Sequence, residues 1–180
     1  MDTDDVAVRN RFELQLSEFE INPQLDICGS SILEFEDNIE HIFSKRAVPL
    51  DDASIKQYQK RRDAFNHMTV MYKKETVLEA GNYRSCLLME DTLLWVHMML
   101  VGAKCKNLKE PLVYARVGKD MYMRRGGWNY FKKYVHGRKK VIETGYITIW
   151  DFFVICAVQF IVAMLPEQCR ALIFKKMLRK

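Results

Sequence analysis

"EDTLLWVHMMLVGAKCKNLKEPLVYARVG" (residues 90–118) is the stretch on which the fold assignment turns. A carboxylate pair, Glu90 and Asp91, opens it where a helix N-terminus favours negative charge, an almost wholly apolar body follows, and Gly102 closes it. A helix apolar on nearly all sides belongs inside a core, so Trp95, Met98 and Met99 are expected to be packing residues. The remainder reads as two short strands around Pro111, so strand follows helix here.

The same alternation extends upstream. "KETVLEAGNY" (residues 74–83) reads as a short helix stopped by Gly81, the residue best able to take the left-handed C-terminal conformation. "HMTVMYKK" (residues 67–74) reads as a short strand, and "PLDDASIKQYQKRR" (residues 49–62) as a helix with carboxylates at its N-terminus. "LDICGSSILEFE" (residues 25–36) sets Ile27, Gly29, Ser31, Leu33 and Phe35 along one face of a strand. In "VRNRFELQLSEFEINP" (residues 8–23), Val8, Phe12, Leu16 and Phe19 recur at helical spacing and predict an amphipathic helix that ends at Pro23. Strands alternating with helices predict an α/β layer structure.

With 180 residues, 49% of them hydrophobic, the chain can bury one substantial core, which excludes a disordered protein. Five cysteines are odd in number and share no ligand spacing, so neither a disulfide framework nor a zinc site is indicated. The acidic first residues do not read as a secretory signal. Charge is split along the chain: residues 1–103 hold 11 Lys+Arg against 18 Asp+Glu, residues 104–180 hold 17 against 5. A basic rear half suits phosphate, nucleic acid or an anionic membrane surface. It contains a basic helix, "WNYFKKYVHGRKKVIETG" (residues 128–145), then an apolar run interrupted between Phe152 and Leu165 only by Gln159. That run is shorter than the ~20 residues of a bilayer span and fits a core helix or one lying in the membrane interface. "PEQCRALIFKKMLRK" (residues 166–180) closes the chain as a basic amphipathic helix.

Four blocks taken in order, "MDTDDVAVRNRFELQ", "FNHMTVMYKKETVLEAGNYR", "MEDTLLWVHMMLVG" and "EPLVYARVGKDMYMRRGG", resemble the family 2 glycosyltransferases, inverting enzymes of the GT-A fold, and among them those that build bacterial surface polysaccharides. The resemblance implies that residues 1–127 are the C-terminal part of a Rossmann-like GT-A domain and that residues 128–180 form a helical, membrane-associating tail. Asp2-Thr3-Asp4 matches the family's DxD motif, which implies that Asp2 and Asp4 hold a divalent cation, Mg²⁺ or Mn²⁺. Such an ion takes up charge as the donor's diphosphate leaves. Read without the other blocks, the same acidic tip is a solvated terminus. Glu90-Asp91 matches the ED motif, implying Asp91 as the base that removes the acceptor hydroxyl's proton and Glu90 as an acceptor-orienting residue. Helix capping accounts for the same pair and is compatible with catalysis. His67 matches an acceptor-side position of the family, although a lone histidine is more often a structural residue. Arg116, Arg124 and Arg125 lie where the family closes over the donor diphosphate, a role suited to guanidinium forks, while "RRGG" alone also reads as a solvated turn.

The family has a nucleotide-binding half-domain before its DxD, and here only Met1 precedes Asp2. A truncated chain or an internal methionine promoted to a start is therefore expected. The leading expectation is transfer of a sugar from a nucleotide-sugar donor to a glycan or lipid-linked acceptor, at the cytoplasmic side of the membrane and peripheral to it. The alternative is a non-catalytic, membrane-associated binding or scaffolding remnant. A nucleic-acid partner ranks last, because "KKYVHGRKK" is the only prompt for it and carries no recognised motif.

Overall fold

Two strands, β2 (Leu25–Phe35) and β5 (Lys104–Arg116), run parallel and form the spine of the molecule in this computed structural model, which describes residues 3–118, 124–170 and 173. Antiparallel strands flank them: β1 (Val6–Ala7) pairs with β5, while β3 (Ile42–Arg46) and β4 (Met71–Tyr72) pair with β2. The sheet order is β1-β5-β2-β3, with β4 also on β2. The helices are α1 (Arg11–Ile21), α2 (Asp52–Gln59), α3 (Lys74–Glu79), α4 (Glu90–Leu100), α5 (Gly127–Glu143) and α6 (Ile149–Met164), with a 3-10 turn at His67–Thr69. The α/β class expected from the alternation is present, and its parallel pair is consistent with a Rossmann-like sheet.

Helix α4 behaves as its composition requires. Leu94, Trp95, Met98 and Met99 pack on Ile27, Ile55, Phe65 and Cys105 to make the main core. Leu93 and Val96 face the other way and join Cys86, Met89, Val141, Ile147 and Ile155 in a second cluster. Gly81 (φ +84) and Gly102 (φ +96) both take the left-handed conformation that ends a helix. Asp51 caps α2, its Oδ1 accepting the Ser54 N–H at 2.9 Å.

Residues 104–116 form one strand rather than two. Ser30 pairs with Leu108 but Ser31 with Pro111, so β5 bulges where a residue without an N–H cannot serve the ladder. "HMTVMYKK" also divides, into the 3-10 turn and the two residues of β4.

Helix α1 reverses the face that its periodicity suggests. Arg11 and Gln15 are the buried residues, whereas Phe12 is 67% and Leu16 53% exposed. The cause is backbone that needs donors. Gln15 Nε2 donates to the carbonyls of Cys28 (2.9 Å) and Thr69 (2.8 Å), and Arg11 Nε holds Gln15 Oε1 at 3.0 Å. On the opposite face of β2, Asn107 Nδ2 donates to the carbonyls of Pro49 (2.7 Å) and Ala64 (2.9 Å). Gly29 leaves room for that side chain, since a Cβ there would lie 2.3 Å from Asn107 Oδ1. Burial pushes the thiols of Cys28 up to about 11 and of Cys105 up to about 12, so both serve as packing groups.

Helices α5 and α6 dock on this body, and residues 167–170 are helical beyond them. Thr148 caps α6 with a reciprocal box: its Oγ1 accepts the Asp151 N–H at 3.1 Å, and Asp151 Oδ2 accepts the Thr148 N–H at 3.3 Å. Asp151 Oδ1 also takes the Arg61 Nε at 2.7 Å, which joins α6 to the end of α2. The Tyr146 hydroxyl donates to the Lys56 carbonyl at 2.7 Å. Among the described residues no helix is long and apolar enough to cross a membrane. Most of the expected C-terminal amphipathic helix lies outside the described residues.

Two outcomes follow from this packing. Gln15→Ala orphans two buried carbonyls and should lower unfolding stability by about 2–3 kcal/mol, read from urea melts. The bonds from Arg61 and Thr148 hold the Asp151 carboxyl below its ordinary 3.8, so this contribution is complete above that pH and is lost as pH falls through the folded value. The stability gap between wild type and Asp151→Ala, about 1–2 kcal/mol near neutrality, should therefore close below pH ~4 in pH-resolved melts.

Candidate functional site

The last turns of α4 pack against Ile27 and Cys105, near the amino ends of β2 and β5, and the chain leaves α4 directly into β5. Its first turn, with Glu90 and Asp91, is thereby directed toward the carboxyl ends of the parallel pair, where open α/β sheets place their ligands. Leu88, at φ +69, makes the turn into that helix in a conformation that costs a non-glycine residue about 1–2 kcal/mol. Glu90 is exposed and Asp91 half-buried.

Asp91 Oδ1 accepts the Tyr83 hydroxyl at 3.1 Å. Burial, and then the Asp91 charge, push the Tyr83 phenol well above its ordinary 10, so it stays a donor at neutral pH. On the far side of the same turn, the Thr92 hydroxyl donates to Asp63 Oδ1 at 2.6 Å. Neither tyrosine nor aspartate was legible in the sequence, because each reaches α4 from a loop without a periodic signal.

The amino-terminal carboxylates meet the sheet at the end of β5. Asp5 Oδ1 accepts the Arg116 N–H at 3.1 Å, beside the β1 pairing of Val6 with Tyr114. Asp4 is exposed, and Asp2 lies outside the described residues. Among the described residues there is no group of three or more His, Cys, Asp or Glu placed to hold a metal ion. The donors that are described, carboxylate oxygens at the carboxyl end of a strand, are of the hard type that suits Mg²⁺ or Mn²⁺.

The basic candidates separate. The Arg116 guanidinium donates to the carbonyls of Glu36 (2.8 Å) and Asp37 (3.2 Å) and lies 4.6 Å from the centre of the Phe35 ring, so it fastens the ends of β2 and β5 together. Arg124 is exposed, while Arg125 is half-buried and close enough to Arg46 to act on it electrostatically. Gly126 lies next to them, against the Arg170 guanidinium. His67 is exposed at the head of the 3-10 turn. The fold thus brings Glu90 and Asp91 together on one helix turn and Asp5 with Arg116 at one strand end. It places His67 on the α1 side of β2, where Thr69 Oγ1 accepts the Ser30 N–H at 3.0 Å.

No protein-family model matches the chain. Individual proteins do. The amylovoran biosynthesis glycosyltransferase AmsE of Erwinia amylovora is 37% identical over 158 residues, which cover 86% of this chain and 59% of AmsE. An uncharacterized glycosyltransferase of Haemophilus influenzae is 36% identical over 180 residues, 100% of this chain and 67% of its own length. The UDP-Gal:alpha-D-GlcNAc-diphosphoundecaprenol beta-1,3-galactosyltransferase of Escherichia coli is 32% identical over 179 residues, 99% of this chain and 65% of that enzyme. The chain thus spans between 59% and 67% of the length of these relatives. With 36% identity to the Haemophilus influenzae protein running over the whole chain and an α/β sheet beneath it, the chain belongs to the glycosyltransferases.

Proposed function

We propose that this chain carries the acceptor side and the catalytic base of a family 2, GT-A, inverting glycosyltransferase, which moves a sugar from a nucleotide-sugar donor to a glycan or lipid-linked acceptor during surface polysaccharide assembly. The observation that carries this reading is the hydrogen bond from Tyr83 to Asp91 at the first turn of α4. With one carboxylate oxygen fixed by a phenol that stays protonated, the other is oriented to remove the proton of an incoming acceptor hydroxyl. Glu90, exposed on the same turn, would bind other hydroxyls of the acceptor, and exposed His67 would bind it from the α1 side. The Escherichia coli relative is named for a diphosphoundecaprenol-linked acceptor, which supports a lipid-linked acceptor for this chain.

A divalent cation belongs to the proposal. Asp4, with Asp2, would hold Mg²⁺ or Mn²⁺, and the ion would supply the positive charge that makes the nucleoside diphosphate a good leaving group. Arg124 and Arg125 would add guanidinium charge on that side.

The same reading sets the enzyme at the cytoplasmic face of the membrane, and the surface of α5 and α6 supports that position. On α6, Ile149, Trp150, Phe153, Val158 and Ile161 are all exposed. On α5, Lys132, Lys133 and Lys139 are exposed, with Lys132 Nζ 5.9 Å from the centre of the exposed Trp128 ring. Apolar side chains beside lysines match the boundary between acyl chains and anionic headgroups.

In sugar-transfer assays, Asp91→Asn should lower kcat by roughly 10² or more while donor affinity, measured by titration, stays within about twofold. Full turnover by that variant would remove Asp91 as the base. In sedimentation with phosphatidylglycerol vesicles, Trp150→Asp combined with Phe153→Asp should lower the bound fraction about tenfold. Equal binding by wild type and variant would remove this surface as the membrane contact.

A further inference from the structure

Helix α4 carries the candidate base on its first turn, yet that turn lacks the device that starts α2 and α6. Asp51 and Thr148 cap those two helices with their own side chains. Met89 occupies the corresponding position on α4 and makes no side-chain cap hydrogen bond. The chain enters Met89 from Leu88, whose φ of +69 is unfavourable for a residue with a Cβ. The first N–H groups of a helix have no intrahelical acceptor, so an uncapped turn frays unless something outside it takes hold. Fraying here would carry Asp91 with it.

The hold comes from the segment between α2 and the 3-10 turn. Thr92, the third residue of α4 and 4% exposed, donates its hydroxyl to Asp63 Oδ1 at 2.6 Å. That separation lies in the range of a charge-assisted O–H···O⁻ bond, roughly 2.5–2.7 Å, which is stronger than its neutral counterpart. A carboxylate beside a helix N-terminus also meets the positive end of the macrodipole. Asp63 is itself fixed to the body. Arg46 Nη2 donates to its carbonyl at 3.2 Å, and the N–H of the next residue, Ala64, goes to Gln59 Oε1 at 2.8 Å, with Ala64 and Gln59 both fully buried. The bond from Tyr83 to Asp91 does a different job: Tyr83 is 48% exposed, so it orients the carboxylate without tying the turn to the sheet.

We propose that Asp63 is a positioning residue for the candidate base, holding the first turn of α4 wound through the Thr92 hydroxyl and so fixing Asp91 relative to the sheet. Only the naming of Asp91 as the base rests on the glycosyltransferase reading; the tether rests on the Thr92 bond and on the cap that Met89 does not supply. Misplacing a reacting group by about 1 Å can cost on the order of 10²-fold in rate, so the effect belongs in kcat.

The test compares the whole chain with Thr92→Val, Thr92→Ser and Asp63→Ala by hydrogen exchange and by kinetics. Thr92→Val keeps the shape of the side chain and removes its hydroxyl, whereas Thr92→Ser keeps the hydroxyl. In Thr92→Val and in Asp63→Ala, amide exchange at residues 90–93 should quicken about tenfold while β2 and β5 stay as protected as before. In sugar transfer, kcat should fall about tenfold at unchanged donor KM. Thr92→Ser should restore most of both. Combining Thr92→Val with Asp63→Ala should add nothing to either alone, since both break one bond. Added to Asp91→Asn, Thr92→Val should lower kcat no further, because the group it positions has already gone. Circular dichroism melts identify a variant that fails to fold, and either of Thr92→Val and Asp63→Ala decides the matter if the other does so. Unchanged exchange at residues 90–93 in the folded variants, or equal losses in Thr92→Ser, overturns the proposal. So does a kcat indifferent to Thr92→Val in an enzyme that Asp91→Asn disables. Because exchange is read without turnover, faster exchange in Thr92→Val together with full turnover by Asp91→Asn would overturn the choice of base and leave the tether of the turn standing.

Discussion

Everything in this molecule hangs on the parallel pairing of β2 with β5 and on the side-chain amides that make it possible. The register of this pair shifts between Ser30, opposite Leu108, and Ser31, opposite Pro111, where β5 absorbs its extra residues in a bulge. A bulge leaves backbone groups around it in need of partners, and buried groups without them cost free energy comparable to a lost hydrogen bond. Polar side chains supply the difference: Asn66 Nδ2 reaches the Ser30 carbonyl at 2.8 Å, Gln15 the Cys28 carbonyl, and Asn107 the loop beyond β3. Two segments distant in sequence are thus held on β2, and the loop beyond β3 on β5, by hydrogen bonds that hydrophobic packing alone would not specify.

That constraint explains where sequence reading worked and where it failed. Helix α4 was legible because nearly every residue in it is apolar, so any orientation buries it, and its terminators, the acidic pair and Gly102, are local signals. Strand β2 was legible because it is buried on both faces. Helix α1 was legible as a helix but its orientation was not: periodicity assumes that apolar residues face inward, and here a glutamine and an arginine do, since two carbonyls of other elements lie beneath them. Strands β1 and β3 sit at the two ends of the sheet order, and β3 has Ile42 and Phe43 exposed, so no inward alternation marks it. In the site, Glu90 and Asp91 stand out as a carboxylate pair at a helix start. Tyr83 and Asp63 do not, because their relation to that helix is made by loops folding back on it.

The two faces of α4 carry a functional consequence. One is fixed by the sheet through Leu94, Trp95 and Met98, the other by α5 and α6 through Leu93 and Val96. The helix that presents Asp91 is therefore wedged between the α/β body and helices α5 and α6, and Gly137 lets α5 approach closely enough that a Cβ would lie 2.7 Å from the Met89 sulfur. Met89 is the residue before Glu90. Any shift of α5 and α6 against the body must be felt at the turn that starts α4, because close-packed interiors transmit displacement instead of absorbing it.

Helices α5 and α6 are thus part of what positions the candidate base, and α6 also exposes Ile149, Trp150, Phe153, Val158 and Ile161. Arg61, which binds Asp151 of α6, lies two residues before Asp63, whose carboxylate accepts the Thr92 hydroxyl beside Asp91 and whose carbonyl accepts from Arg46. Two residues of one short loop therefore carry two tasks, anchoring α6 and bracing the first turn of α4. A single short loop of this kind ties the seating of α6 to the geometry around Asp91, with no moving part required between them.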